Sequence, residues 1–566
     1  MRRALVLVVV AVALALTLGA GAAVADDSAA SDSPVVDAEA CETNVTTEAV
    51  GCWNGTHHSD DPADLGIDQS PGGDGLSEAD LENMTSLKMA RVEAIRERPF
   101  ESPVPVEVIT REEFAEQGVG GDPGEEYHRW NDQVWKALFV IGEEESSEEV
   151  IDEVFSGAVA GFYSPSDERI TIVVDESDTL RVSPTTLLHE LGHAMQDQHE
   201  NLSEPRYSGA TQDADLGIDG IVEGEVVYME EVYSERCEDE WTCTSEPSGG
   251  GTTGGTADDS EPNLGVLLTV LQPYSDGAPY VDEVLEEEGW EGVDDLMAEP
   301  PRTTRETIHR EPFDPVPIEF ADTAEGGWET YDEQGVNGSD TVGEASLFVS
   351  MWYQSENYDA GVVEDGGLFA DDLHPYGMYN YAHPVTTGWA NDELYPYRND
   401  ANGEERDGYV WVIEWESETD AAEFHTAYRQ VLDAHGAVHR LDGVRYVSDG
   451  RFRGAYGVER NGTTITIAHA LEPEGVFELR PDIELDEPDV TDNDRFELPD
   501  VPDDTDDFAT PADPTDPTDP TDASDASDAS DDPAPGFGVL VAVAAIIAMM
   551  IAATAAALGV ARRRSE

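Results

Sequence analysis

Along most of the chain the apolar positions recur with one of two periods, and the switching between them lays out the elements. Leu81, Met84, Leu87, Val92 and Ile95 follow helical spacing and predict an amphipathic helix from residue 78. Residues 104–109 read as a strand, 112–117 as a short helix, and 127–141 and 147–156 as two longer ones. Two apolar runs, 158–163 and 169–174, flank a Ser-Pro-Ser-Asp turn and predict a hairpin. Residues 183–199 form the best supported helix. Ser183 is placed to cap it, Pro184 takes the first helical position, and Leu187, Leu188, Leu191, Ala194 and Met195 make its apolar stripe. Further helices are predicted over 218–230, 264–272, 279–287 and 342–353. Beyond residue 388 the texture changes. Alternation over 409–415, an amphipathic helix over 419–435 and strand patterns at 444–447, 454–458 and 463–469 predict a small α+β unit.

The ends carry no such pattern. Residues 1–25 read as a secretory signal, with Arg2-Arg3, an apolar run and Ala23-Val-Ala25 as a small-x-small cleavage site. Residues 26–77 are acidic and poor in large apolar groups, which predicts a disordered lead-in, and 246–262 read as a flexible loop. Residues 486–534, with Asp-Pro-Thr and Asp-Ala-Ser repeats, read as a stiff acidic stalk. After Pro535-Gly-Phe537 an uncharged run from Val539 to Ala561 is long enough to span a bilayer, and Arg562 to Arg564 would hold its end on the cytoplasmic side. The expected organisation is a main domain over 78–390, a small α+β domain over 391–485, and a terminal segment over 535–566.

Composition narrows the setting. The 566 residues carry 124 acidic and 29 basic side chains, a formal net charge of -95, and lysine occurs only at 88 and 136. That charge excludes nucleic-acid binding. Spread along the chain, it suits concentrated salt, where screening shortens the reach of self-repulsion. The four cysteines form two close pairs, Cys41/Cys52 and Cys237/Cys243, which in an exported chain predict two short-loop disulfides. Sequons at Asn44, Asn54, Asn83, Asn201, Asn337 and Asn461 agree with export.

The candidate chemistry lies in the helix over 183–199. His189-Glu190-Leu-Gly-His193 is an HExxH pattern, and two imidazoles four residues apart on one helix face can grip one zinc ion while Glu190 reaches a water beside it. Zinc of this kind takes a third protein ligand. Glu223 in the next helix is the expected one, with Glu225 in reserve. His199 competes, since it stands where the longer HExxHxxGxxH pattern has its third histidine. Gln196 replaces the glycine that would turn the chain back, however, so His199 points off the metal face. Asp215 and Asp219 are candidates to orient the imidazoles. His309, Tyr376, Tyr379 and His383 are candidate donors to an oxyanion.

The stretch His-Glu-Leu-Gly-His-Ala-Met-Gln-Asp-Gln-His199, followed by Val222-Glu-Gly-Glu-Val226, resembles an uncharacterised family of gluzincin-like HExxH metallopeptidases. The likeness continues through Pro273-Tyr-Ser-Asp-Gly277, Glu288-Gly-Trp-Glu-Gly-Val293, residues 300–309 and Gly343-Glu344, over roughly residues 150–430. His309-Arg310 and Val226 depart from the family's usual His-Pro and Ala. The resemblance implies a zincin-like α+β fold with the HExxH helix packed on a mixed or antiparallel sheet. The C-terminal pattern resembles the PGF-type sorting signal of haloarchaeal surface proteins, which implies removal of the transmembrane helix by an archaeosortase and its replacement by lipid. The expected protein is therefore a cell-surface zinc metallopeptidase that hydrolyses peptide bonds of a peptide or protein substrate with a zinc-activated water. The competing expectation is a non-catalytic surface protein, structural or binding, which would need the histidines but not Glu190.

Overall fold

The computed structural model describes Cys41, Phe496 and residues 50–485, apart from 70–74, 118–123, 157–158, 175–179, 246, 248–261, 365, 370–372, 401–404 and 441–442. The expected signal segment, stalk (Phe496 apart) and sorting signal with its apolar run, and nearly all of the 246–262 loop, lie outside the described residues. Among the described residues no helix is long and apolar enough to cross a membrane.

Order starts earlier than composition suggests. β1 (Cys52–Trp53) and β2 (Thr56–His57) form a tight hairpin against α1 (Glu78–Arg96), which opens on a capping box of Ser77 and Asp80. The Glu93 carboxylate accepts the N–H groups of Gly51 and Cys52 at 3.1 and 3.2 Å. Arg91, fully buried, donates to the His58 and Asp60 carbonyls. Residues 50–69 thus depart from the expected lead-in, because two polar side chains buried on α1 satisfy their backbone. Both disulfides are formed, Cys41–Cys52 and Cys237–Cys243.

The chain continues through β3 (Val106–Thr110), α2 (Arg111–Gln117), α3 (Glu125–Ala137), α4 (Ser147–Ser156), β4 (Gly161–Ser164) and β5 (Arg169–Val174). β5 is central in a mixed three-stranded sheet, parallel to β3 and antiparallel to β4, so β4 is an edge. α5 (Pro184–Glu200) starts as expected, with the Ser183 hydroxyl accepting from the Thr186 N–H. It lies along β4. A Cβ on Gly161 would stand 3.1 Å from the Thr186 methyl, and the Tyr163 hydroxyl donates to Asp197 at 2.8 Å.

Two long helices follow. α6 (Gln212–Asp239) runs well past the expected 218–230, and α7 (Leu264–Glu288) is a single helix through Pro273 and Pro279, where two were expected. An interior proline costs about 3 kcal/mol, but α7 is buried almost continuously from Gly265 to Val281 along α6, and that packing prevails. The helices touch backbone to backbone. A Cβ on Gly224 would lie 2.6 Å from the Gly277 Cα, and one on Gly277 would lie 2.1 Å from the Gly220 carbonyl oxygen.

After α8 (Trp290–Ala298) and α9 (Thr304–His309), β6 (Glu329–Thr330), α10 (Gly343–Tyr358), β7 (Trp389–Asn399), β8 (Arg406–Trp415), α11 (Glu418–Ala434), β9 (Val438–His439), β10 (Arg445–Val447), β11 (Gly454–Asn461), β12 (Thr464–Ala470) and α12 (Pro473–Leu479) complete the fold. Their strands make one antiparallel sheet in the order β6-β7-β8-β12-β11-β10-β9, so this unit draws in a strand from before residue 391. Asp392 of β7 welds it to the helices. Its carboxylate accepts the N–H groups of Val342 and Gly343 at the start of α10 and the indole N–H groups of Trp389 and Trp411. One apolar core joins α1, the small sheet, α5 and α6, and a larger one joins α3, α7, α10, α11 and the second sheet. The architecture is mixed α+β.

Candidate metal centre

On α5, His189 and His193 stand one turn apart and face α6. Gly192 between them lets α6 come close, since a Cβ there would meet both Val226 methyls at 2.9 Å. α6 brings in Glu223. The two Nε2 atoms are 3.0 Å apart, and the Glu223 Oε2 lies 3.3 Å from that of His189 and 3.4 Å from that of His193. All three side chains are buried, and together they could hold a metal ion. Among the described residues this is the one His/Cys/Asp/Glu grouping so arranged.

Glu190 lies next to them, fully buried, and neither carboxylate oxygen has a hydrogen-bond partner among the described residues. Burial lifts its carboxyl to about 7 against the pull of the His189 and His193 imidazoles. Burial would also lift Glu223, but the two imidazoles bring it down to about 2. One carboxyl is thus left without a partner while the other is turned to both imidazoles.

The outer groups differ from the expected ones. His189 Nδ1 is 3.4 Å from Glu230, and His193 Nδ1 is 2.9 Å from the Gln196 Oε1. Glu230 is two turns beyond Glu223 on the same face of α6, and Gln196 is one turn beyond His193, so both were within reach of helical spacing. Asp215 accepts the Gly209 N–H instead, and no hydrogen bond joins Asp219 to either imidazole among the described residues, though burial and the charges of Asp215 and Glu223 raise its proton affinity. The reserve ligands also lie elsewhere. His199 Nε2 bonds the Pro99 carbonyl at 2.8 Å, and Glu225 is paired with Arg96. α5 continues straight through Gln196, which turns His199 away, and Glu225 falls some 200° around α6 from Glu223.

The expected oxyanion donors are also drawn off. His309 Nε2 sits on the Glu344 carboxylate at 2.9 Å, the Tyr376 hydroxyl donates to Glu235 at 3.3 Å, and His383 Nε2 is 3.3 Å from Glu364. The Tyr379 ring packs edge-on against Phe369 and Tyr381. The tyrosine that does reach the site is Tyr274 of α7. Its ring stacks on His189 with centroids 6.4 Å apart, and its hydroxyl hydrogen-bonds Glu223. The signal for it was Pro273-Tyr-Ser-Asp-Gly277, whose Gly277 makes the close crossing with Gly224 that places Tyr274 over the imidazoles.

Residues 329–480 match a family model described as a domain of unknown function, DUF8575. That span runs from β6 to α12 and leaves out α5, α6 and α7, which build the centre. No curated protein and no solved structure matches the chain.

Proposed function

We propose that the chain is a zinc-dependent metallopeptidase with a zincin-like catalytic unit, exported and displayed at the cell surface. The observation that carries the proposal is the convergence of His189, His193 and Glu223 beside an unpartnered, buried Glu190. Ligand atoms around a tetrahedral zinc stand about 3.3 Å from one another, given bonds of about 2.0–2.1 Å, and the spacings here are 3.0, 3.3 and 3.4 Å. The donor set fits zinc.

Zinc in this position supplies a Lewis acid that makes a water acidic and polarises a carbonyl. The chain does the rest. Glu190 takes the proton from the attacking water and passes it to the leaving amine, which calls for a carboxyl poised near neutral pH. Tyr274, released from Glu223, donates to the oxygen of the attacked carbonyl. The unpaired edge of β4, running beside α5, offers backbone groups to an extended peptide, by the pairing that adds a strand to a sheet. The signal pattern, the two disulfides and the basic-ended apolar run support the address, and the net charge supports a salty medium.

A second reading, a zinc site without turnover, draws on the burial of the centre, where His189, Glu190 and His193 are all 0 % exposed. Retention of Glu190 weighs against it, since metal binding alone does not need that carboxyl. Peptidase assays on the metal-loaded protein decide between the two: cleavage abolished by a chelator and restored by zinc supports the first reading, and zinc bound with no cleavage supports the second.

A further inference from the structure

The two imidazoles are alike in sequence and are held by different chemistry. With both Nε2 atoms turned to Glu223, each ring that gives its lone pair to a metal must carry its proton on Nδ1. That of His189 lies 3.4 Å from the Glu230 Oε2, a charge contact and not a hydrogen bond. Glu230 is buried, its Oε1 has no hydrogen-bond partner, and among the described residues no arginine or lysine pairs with it. That of His193 meets a neutral amide oxygen, from Gln196, at 2.9 Å. The amide cannot flip, because its Nε2 already donates to the Val222 carbonyl at 2.9 Å and to Glu225 at 2.8 Å. Glu225 in turn is paired with Arg96, which extends to Asp294. A charge therefore backs one imidazole. A locked dipole, whose nearest carboxylate is already neutralised, backs the other.

Resting on the reading of the site as a zinc centre, we infer that Glu230 and Gln196 are positioning residues that make the two histidine ligands unequal: Glu230 strengthens His189 as a donor, and Gln196, fixed by Glu225 and Arg96, sets only the angle of the His193 ring. The two residues are held differently. Glu230 turns its carboxylate to the ring with its Oε1 unpartnered among the described residues. Gln196, in contrast, satisfies the Val222 carbonyl and Glu225 whether or not metal is present.

The experiment measures zinc affinity by chelator competition, the visible absorption of the cobalt-loaded protein, and the denaturant midpoint of the metal-free protein. It does so for the full chain, for Glu230→Gln and for Gln196→Ala. Glu230→Gln keeps an acceptor of the same shape and removes only the charge. It is expected to lower zinc affinity about 10- to 100-fold and to move the cobalt bands. Gln196→Ala is expected to lose affinity and metal-free stability together. Wild-type affinity and unmoved bands in Glu230→Gln overturn the inference. Wild-type protein that takes up neither zinc nor cobalt overturns the zinc reading itself, and is distinguishable for that reason.

Discussion

Several carboxyl groups in this chain are buried, and burial raises their proton affinity. Glu93 is held at about 7 by burial, against three backbone N–H groups, those of Phe100, Cys52 and Gly51. Asp340 and Asp276 are likewise raised by burial to about 7, and Asp213 to about 8. An acid whose folded value lies above its unfolded one binds more protons folded, so its ionisation opposes folding. The stability these groups contribute is present below about pH 4 and is lost as pH rises through 7 to 8. A single carboxyl moved from 4.5 to about 7, like Glu93, accounts for roughly 3 kcal/mol across that window. The denaturant midpoint at fixed salt should therefore be higher at pH 5 than at pH 8, and Glu93→Gln should flatten the slope. A midpoint that rises with pH would contradict the assignment. Asp392 gives a sharper case at the same scale. It accepts four N–H groups, and an asparagine cannot accept as many through its one oxygen. Asp392→Asn should cost about 2–4 kcal/mol by leaving buried donors unpaired without changing metal content, read from chemical denaturation beside metal analysis.

Among the elements, α5 was legible from sequence almost to the residue, because its cap, its first-turn proline, its apolar stripe and its histidine spacing are all local. Glu223 was legible too, as the acid in the next amphipathic helix. What lay beyond local reading depends on how helices cross. Pro273 and Pro279 read as a break, and only the continuous burial of α7 against α6 shows one helix that carries Tyr274 to His189. His309, Tyr376 and His383, expected as donors, are paired instead with Glu344, Glu235 and Glu364, contacts between distant segments that leave no local signal. The crossing also makes a prediction. Gly224→Ala would drive a methyl to 2.6 Å from the Gly277 Cα and must push α7 away. It should lower stability by about 1–3 kcal/mol, as overpacking does, and weaken metal binding through the displacement of neighbouring Glu223. Gly55→Ala, where a Cβ meets nothing within 4 Å but φ is +82°, serves as a control that strains only the β1–β2 turn and leaves metal binding unchanged. Equal metal affinity in Gly224→Ala and wild type would show that the crossing does not set the site.

At the level of the whole molecule, a net charge of -95 makes self-repulsion a general opponent of the folded state. Salt that shortens the screening length from about 10 Å at 0.1 M to about 3 Å at 1 M removes much of it. Melting temperature should climb steeply between those concentrations, and a flat profile would contradict the account. Composition made this legible, while it misjudged residues 50–69, whose order depends on Glu93 and Arg91 from a helix some forty residues away. In the second sheet β8, β10, β11 and β12 were legible as strand patterns, but β7 and its union with α10 through Asp392 were not, since one carboxylate shared among four donors leaves no periodic trace.

The central claim is that His189, His193 and Glu223 hold zinc for a reaction in which Glu190 moves the proton. It is tested most directly by zinc content and peptide cleavage in multimolar salt, with wild type compared to Glu190→Gln. The account predicts one zinc per chain in both proteins, cleavage by wild type, and a loss of at least about 100-fold in Glu190→Gln, as expected when a general base is removed. Zinc retained by both with no cleavage by either, or cleavage undiminished by the substitution, would contradict it.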